Sequence, residues 1–269
     1  MSGAGRPGAA LGPQSIAVGP LGLIVLDAAR HRLVQLDVDS SGTSVFAQDP
    51  FFHGAQDLFV DPDGVIWALG SAACGCVRRI DGTNQETPLV PEALGYRLMG
   101  DGEGFVYLGA PDGAARWNVH VLSDPRTLEE QRATGGDVDP PASVMAINWG
   151  ARIPSPPEDA LELVDPFGGT RRVPLPGRPL EVELFEVAYS ETCAVSFVVV
   201  VTALADGVLV HAMVRTDLSG EVILTASAPA ALGLHQPFRP FALLPEGRLF
   251  QLRADGDGYA IVEWNIGCP

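Results

Sequence analysis

Asp57-Leu-Phe-Val-Asp-Pro-Asp-Gly64-Val-Ile-Trp-Ala-Leu69 reads as two short β-rich runs joined by Asp-Pro-Asp-Gly, a linker that turns the chain back antiparallel to itself. The same pattern stands upstream in Ser15-Ile-Ala-Val-Gly-Pro-Leu-Gly22-Leu-Ile-Val-Leu-Asp27 and downstream in Arg97-Leu-Met-Gly-Asp-Gly-Glu-Gly104-Phe-Val-Tyr-Leu-Gly109. It returns in Val200 to Val210 around Gly207 and in Phe241-Ala-Leu-Leu-Pro-Glu-Gly247-Arg-Leu-Phe-Gln-Leu252. The central glycines fall at 22, 64, 104, 207 and 247, spaced by 42, 40, 103 and 40 residues. The long gap holds about two periods, so one unit inside it lacks its glycine; Val144 to Trp149, a turn at Pro154 to Asp159 and Leu161 to Val164 fill that place. A second marker, Asp or Asn followed closely by glycine, recurs at Asp37, Asp81, Asp165, Asp217 and Asn265, with Asp124 midway across the wide interval. Each follows a β-rich run such as Leu33 to Leu36, Val77 to Ile80 or Ala260 to Trp264.

Every unit therefore reads strand, tight turn, strand, loop, strand, tight turn, weaker strand. Six such four-stranded antiparallel meanders predict an all-β chain, a six-bladed β-propeller. One meander cannot bury both faces of its sheet, but neighbours stacked on either side can. No segment sustains a 3.6-residue period, and Thr127 to Ala133 makes one helical turn at most. Residues 13–269 are expected to form a single propeller domain, with 1–12 as a flexible segment or closing strand. After Asn265 only Ile266-Gly-Cys-Pro269 remain, so the last blade is incompletely closed by C-terminal strands alone. Ala9-Ala-Leu-Gly12 is the candidate to complete it; otherwise an edge stays open for a partner to pair with.

Composition narrows the function classes. The 269 residues carry 17 basic and 33 acidic side chains, a formal charge of −16, and all 17 basic residues are arginine. Without lysine there is no Schiff-base lysine and no P-loop lysine, and the acidity argues against nucleic acid or an anionic membrane as partner. The most membrane-like stretch, Phe197 to Val214, has Asp206-Gly207 in its middle, the mark of a buried hairpin rather than a membrane span. Met1 to Pro13 lacks the basic start and apolar run of a signal peptide, and no Asn-x-Ser/Thr acceptor occurs, so a cytoplasmic location is expected. Cys74-Gly-Cys76 is too tight for a zinc ribbon. Were the chain exported, Cys193 pairs with Cys268 or a bridge forms to the Cys74/Cys76 pair; the expected state is four reduced thiols.

Gly12-Pro-Gln-Ser-Ile-Ala-Val-Gly-Pro-Leu-Gly-Leu-Ile-Val-Leu-Asp-Ala-Ala-Arg-His-Arg-Leu-Val-Gln-Leu-Asp37 resembles an NHL repeat, with its proline start, aliphatic strand, glycine turn and arginine before the third strand. Gly54 to Asp81 resembles the same repeat and the related repeats of gluconolactonase-like and strictosidine-synthase-like propellers. The first of these implies a calcium-dependent lactonase or esterase site at a channel mouth, built from a glutamate, asparagines and an aspartate. Here the first inner strand offers Gln14 and Ser15 instead of the glutamate, which leaves Asp57 and Asn148 as the metal candidates of that alternative. Strictosidine-synthase-like chemistry would need a late-blade glutamate; Glu181, Glu183 and Glu186 alternate as a solvated strand face.

In a propeller the inner-strand starts share one face, and those starts read Gln14-Ser15, Gln56-Asp57, Tyr96-Arg97, Ser143-Val144 and Arg239-Pro240. Arg97 and Arg239 at such a mouth repel a cation. Asp61-Pro-Asp-Gly64 and Asp255-Gly-Asp-Gly258 imitate a calcium loop without its twelfth-position glutamate and read as turns. Histidines 31, 53, 120, 211 and 235 are scattered, and no nucleophile-elbow or His-Glu-x-x-His motif is present. The reading that needs fewest special residues is a non-enzymatic scaffold subunit, without cofactor, that docks a protein partner. Its binding-face candidates are Phe51, Phe52, Phe238, Arg239, Phe241, Arg97 and His31, aromatics and cations beside prolines in connectors and strand starts. For the aromatics themselves, packing between adjacent blades is the favoured reading and a docking patch the alternative.

Overall fold

A computed structural model describes residues 12–19, 21–40, 42–61, 63–71, 74, 76–81, 85–86, 97–100, 106–111, 117–121, 150–154, 156, 158–164, 169–188, 196–217, 219–230, 239–244, 247–255, 258–264 and 266. Among them there is no α-helix; two 3-10 turns, Ala28–Arg30 and Pro50–Phe52, interrupt an otherwise all-β chain. Among the described residues the strands form six antiparallel sheets, each a meander of sequence-consecutive strands. The first has four strands, β1 (Pro13–Gly19), β2 (Gly22–Asp27), β3 (Arg32–Leu36) and β4 (Thr43–Gln48). The second has β5 (Asp57–Val60), β6 (Ile66–Leu69), β7 (Val77–Ile80) and β8 (Gln85–Glu86); the third has β9 (Arg97–Gly100), β10 (Val106–Pro111) and β11 (Trp117–Val121). The fourth comprises β12 (Gly150–Arg152), β13 (Ala160–Val164) and β14 (Thr170–Pro174). The fifth is the longest, β15 (Arg178–Ala188), β16 (Ser196–Ala205), β17 (Val208–Asp217) and β18 (Val222–Pro229). The sixth holds β19 (Phe241–Leu243), β20 (Leu249–Asp255) and β21 (Gly258–Trp264).

Two compact units divide the chain. One spans Met1–Pro141 with His235–Pro240 and Ala254–Tyr259; the other spans Ala142–Leu234 with Phe241–Arg253 and Ala260–Pro269. In the first, β5 lies against both β1 and β9; in the second, β15 lies against both β12 and β19. Within each unit, then, the leading strands of successive sheets are neighbours, as in a propeller.

The two-faced burial expected of a stacked meander is visible residue by residue. In β16, Phe197, Val199, Val201 and Ala203 join Leu161, Leu163 and Val173, while Val198 and Val200 join Met213, Phe241, Leu249 and Ile266. In β6, Ile66 and Ala68 join Ile24, Leu26 and Leu58, whereas Trp67 and Leu69 join Leu98 and Val106. Alternation puts successive side chains on opposite faces, so an unbroken apolar run such as Phe197 to Val201 means both faces are covered. Outer strand β18 alternates half-buried and exposed along its length, as an edge should.

The glycine turns behave as read. Gly22, Gly64 and Gly247 take φ of 123°, 80° and 90° between the first two strands of their sheets. At Gly22 the need is strict, because an added Cβ would strike the Leu36 carbonyl oxygen. Asp206 (φ 50°) and Gly207 (φ 79°) make the positive-φ pair of a type I′ hairpin, so the membrane-like stretch is indeed a buried hairpin. No helix among the described residues is long and apolar enough to cross a membrane.

Two expectations are corrected. Gly207 joins β16 to β17, the second and third strands of its sheet, not the first and second; Asp-Gly between β-branched runs specifies a hairpin wherever it stands, so it carries no blade phase. Cys74 and Cys76 are joined as a disulfide rather than standing as thiols. The turn in which Cys74 N donates to Ser71 O at 2.9 Å leaves their Cα atoms 5.1 Å apart, within disulfide span. Val144 to Trp149, Asp124, Gly104, Cys193, Cys268 and residues 1–11 lie outside the described residues. Gly12 is described and packs against the Tyr259 ring, with no room for a side chain.

Candidate functional site

Of the strand starts singled out in the sequence, Ser15, Asp57 and Arg239 come together in the first unit, as a closed ionic cluster. Asp57 opens β5 and is fully buried. Its Oδ1 accepts from Leu58 N at 2.8 Å and Arg239 Nε at 2.9 Å, and lies 3.1 Å from Ser15 Oγ. Its Oδ2 accepts from Leu98 N at 2.7 Å and Arg239 Nη2 at 2.8 Å. The Arg239 fork is thus bidentate, the strong form of this pair, and Nη2 also donates to the Leu98 carbonyl. Backbone bonds hold the same place: Ile16 N donates to Arg239 O and Arg239 N to Gln14 O, both at 3.1 Å, in a parallel bridge between Ser15 and Arg239. Strands β1, β5 and β9 and the Arg239 segment are bolted together by one carboxylate.

A calcium ion does not fit this cluster. A carboxylate offers about four lone-pair directions, and the donors around Asp57 already take them, with a guanidinium where a cation would sit. Asn148, the other metal candidate, lies outside the described residues. Among the described residues no group of three or more His, Cys, Asp or Glu side chains is placed to hold a metal ion. Asp61 is likewise committed to its turn, accepting from Val65 N at 2.9 Å and from Trp67 Nε1 at 3.1 Å.

The binding-face candidates divide sharply. Phe52 and Phe241 are core side chains, each about 1% exposed, so their rings pack instead of presenting a surface. Arg239 is held by Asp57. Phe238 and the Arg97 side chain lie outside the described residues. Phe51 and His31 remain at the surface of the first unit. The Arg78 guanidinium stands 4.2 Å above the Phe51 ring and pairs with Asp49 at 2.8 Å, while the Asp49 carboxylate accepts from Phe51 N at 2.7 Å to cap the 3-10 turn. Asp49 N in turn donates to the His31 carbonyl at 3.0 Å, tying this turn to the one that ends at His31. Outer strand β4 of the same unit exposes Val45 and Phe46, roughly half of each.

A polar chain in the second unit escaped the sequence reading. Trp264 Nε1 donates to Gln251 Oε1 at 3.1 Å, which turns the Gln251 amide nitrogen toward His211 Nδ1 at 2.9 Å. His211 is therefore an acceptor at Nδ1, with its proton on Nε2. Burial of the ring against Phe241 lowers its pKa from the ordinary 6.5, and Arg253 adds to the effect. In the unfolded chain His211 protonates near 6.5; folded, it resists until lower pH. Its contribution is complete above about pH 6.5 and is lost as pH falls from there toward the depressed value, because the unfolded state then binds more protons. The thermal midpoint between pH 5 and 7 should thus fall less steeply on acidification for His211→Phe than for the parent; equal slopes would refute this.

No protein-family model matches the chain, and no curated protein matches it. Among solved structures, the chain is similar to virginiamycin B lyase from Staphylococcus aureus, at 12% identity over 96% of this chain and 85% of that one, TM-score 0.42. It is similar to the SapL1 lectin in complex with alpha methyl fucoside, at 14% identity over 95% and 93%, TM-score 0.48. A chain of the mitotic checkpoint complex gives 14% identity over 94% and 86%, TM-score 0.48. These neighbours are β-propeller proteins.

Proposed function

We propose that this protein is a six-bladed, NHL-like propeller working as a non-enzymatic interaction or scaffold subunit that docks a protein partner. The observation that carries the reading is the commitment of Asp57: the acid nearest to a channel-type metal site is buried and saturated by Arg239 and two backbone amides. What the first unit presents outward supports docking: Phe51 under Arg78, and an outer strand β4 bearing Val45 and Phe46 without a charged residue. Aromatic rings beside arginine make good anchors, and an outer strand offers backbone groups for pairing.

The test is affinity capture from the native host with the parent and with Phe51→Ser. Phe51 is half-buried, so its loss should leave the fold intact while a captured partner is reduced at least several-fold. Unchanged capture would remove this surface from the reading. Stoichiometric bound calcium, with lactone or ester turnover abolished by a chelator, would replace the reading with the metal-dependent hydrolase.

A further inference from the structure

His31 and His53 come from two different turns, 22 residues apart, and meet at the surface of the first unit. His31 Nε2 and His53 Nδ1 lie 2.8 Å apart, with the rings edge to face at 73°. Both are preorganised by the backbone. His31 takes the left-handed conformation (φ 55°) at the end of the Ala28–Arg30 turn, and His53 closes the Pro50–Phe52 turn with its N–H on Pro50 O at 3.0 Å. The Asp49 N to His31 O bond locks one turn to the other. Nearby cations are held by acids: Arg30 and Arg32 by Asp27, Arg78 by Asp49. The chain's net charge of −16 also favours cations over anions at its surface.

We propose that His31 Nε2 and His53 Nδ1 form a two-imidazole chelate for a tetragonal transition-metal ion of the copper(II) or nickel(II) class. The separation permits a chelate: two ligands at right angles, each about 2.0 Å from an ion, stand about 2.8 Å apart, close to the hydrogen-bonded spacing from which the rings turn. Imidazole nitrogen suits these metals, and copper(II) heads the affinity order for such donors. In the metal-free protein one ring donates its N–H to the other. On binding, the donor ring carries its proton on its other nitrogen instead, by exchange with solvent, and both lone pairs turn to the ion; neutral rings release no net proton. Water completes the coordination. The chelate borders the turn that carries Phe51, and its measurement needs no docking partner.

The full chain, stripped of metal, is titrated with copper(II) by calorimetry and followed by electron paramagnetic resonance, with nickel(II) and zinc(II) in parallel. One equivalent with a two-nitrogen signal is expected. His31→Asn, which tolerates the left-handed backbone, and His53→Gln should each weaken that equivalent about a hundredfold, the loss of one arm of a chelate. The double variant should lose it, with the thermal midpoint unchanged because both rings are at the surface. A one-equivalent site that survives in the double variant, no binding by the parent, or zinc bound as tightly as copper would overturn the proposal.

Discussion

Replacing Asp57 with alanine is expected to cost about 3–5 kcal/mol, the range for breaking a buried ion pair from one side. Against a typical stability of about 5–15 kcal/mol that is a large share, read as a drop in the urea midpoint. The reason lies in what remains. Leu98 N, Leu58 N and the Arg239 fork lose their acceptor together, and Arg239, about one-fifth exposed, is only partly reached by water. That partial exposure places the effect toward the lower end of the range. Arg239→Met should be damaging for the mirror-image reason, since Asp57 is fully buried. The double variant should cost less than the sum of the two, because no charge is left stranded. Simple additivity, or a loss below about 1 kcal/mol for Asp57→Ala, would show that the cluster does not hold the strand starts together.

Phe52→Ser and Phe51→Ser should separate by several kcal/mol although the two rings are adjacent in sequence. Phe52 is packed with Ile24, Leu26, Leu33 and Leu58, so truncation leaves a cavity and a hydroxyl without a polar neighbour, about 3–5 kcal/mol. Phe51 touches the same cluster from outside and stacks under Arg78, an interaction worth about 0.5–1 kcal/mol at such a site. Chemical denaturation of both variants reads the difference directly. Equal losses would mean that Phe51 is core as well and no anchor.

Much of the fold is legible because a tight turn needs local chemistry. Gly22, Gly64 and Gly247 are spaced by the repeat and adopt the positive φ that only glycine takes readily. The alternating burial of β6 and β16 follows from unbroken apolar runs. The Asp-Gly at 206–207 misleads on phase for the same reason it reveals a hairpin: the signal is local and says nothing of which strands it joins. The site was only half legible. The sequence places Ser15, Asp57 and Arg239 at strand starts, yet taken singly Asp57 suggests a metal ligand and Arg239 a docking group. Their pairing cancels both suggestions, and 182 residues separate them. His31 with His53 and His211 with Gln251 are likewise contacts between turns or sheets, which no spacing within one element announces. Phe51 and Phe52 share one local context, and only the direction of each ring distinguishes surface from interior.

The span of the Asp57–Arg239 pair has a consequence during synthesis. At roughly 5–20 residues per second on the ribosome, the guanidinium emerges on the order of ten to forty seconds after the carboxylate it will neutralise. Throughout that interval the nascent first sheets lack the counter-ion of Asp57, so this part of the molecule reaches its final arrangement only once Arg239 has been made.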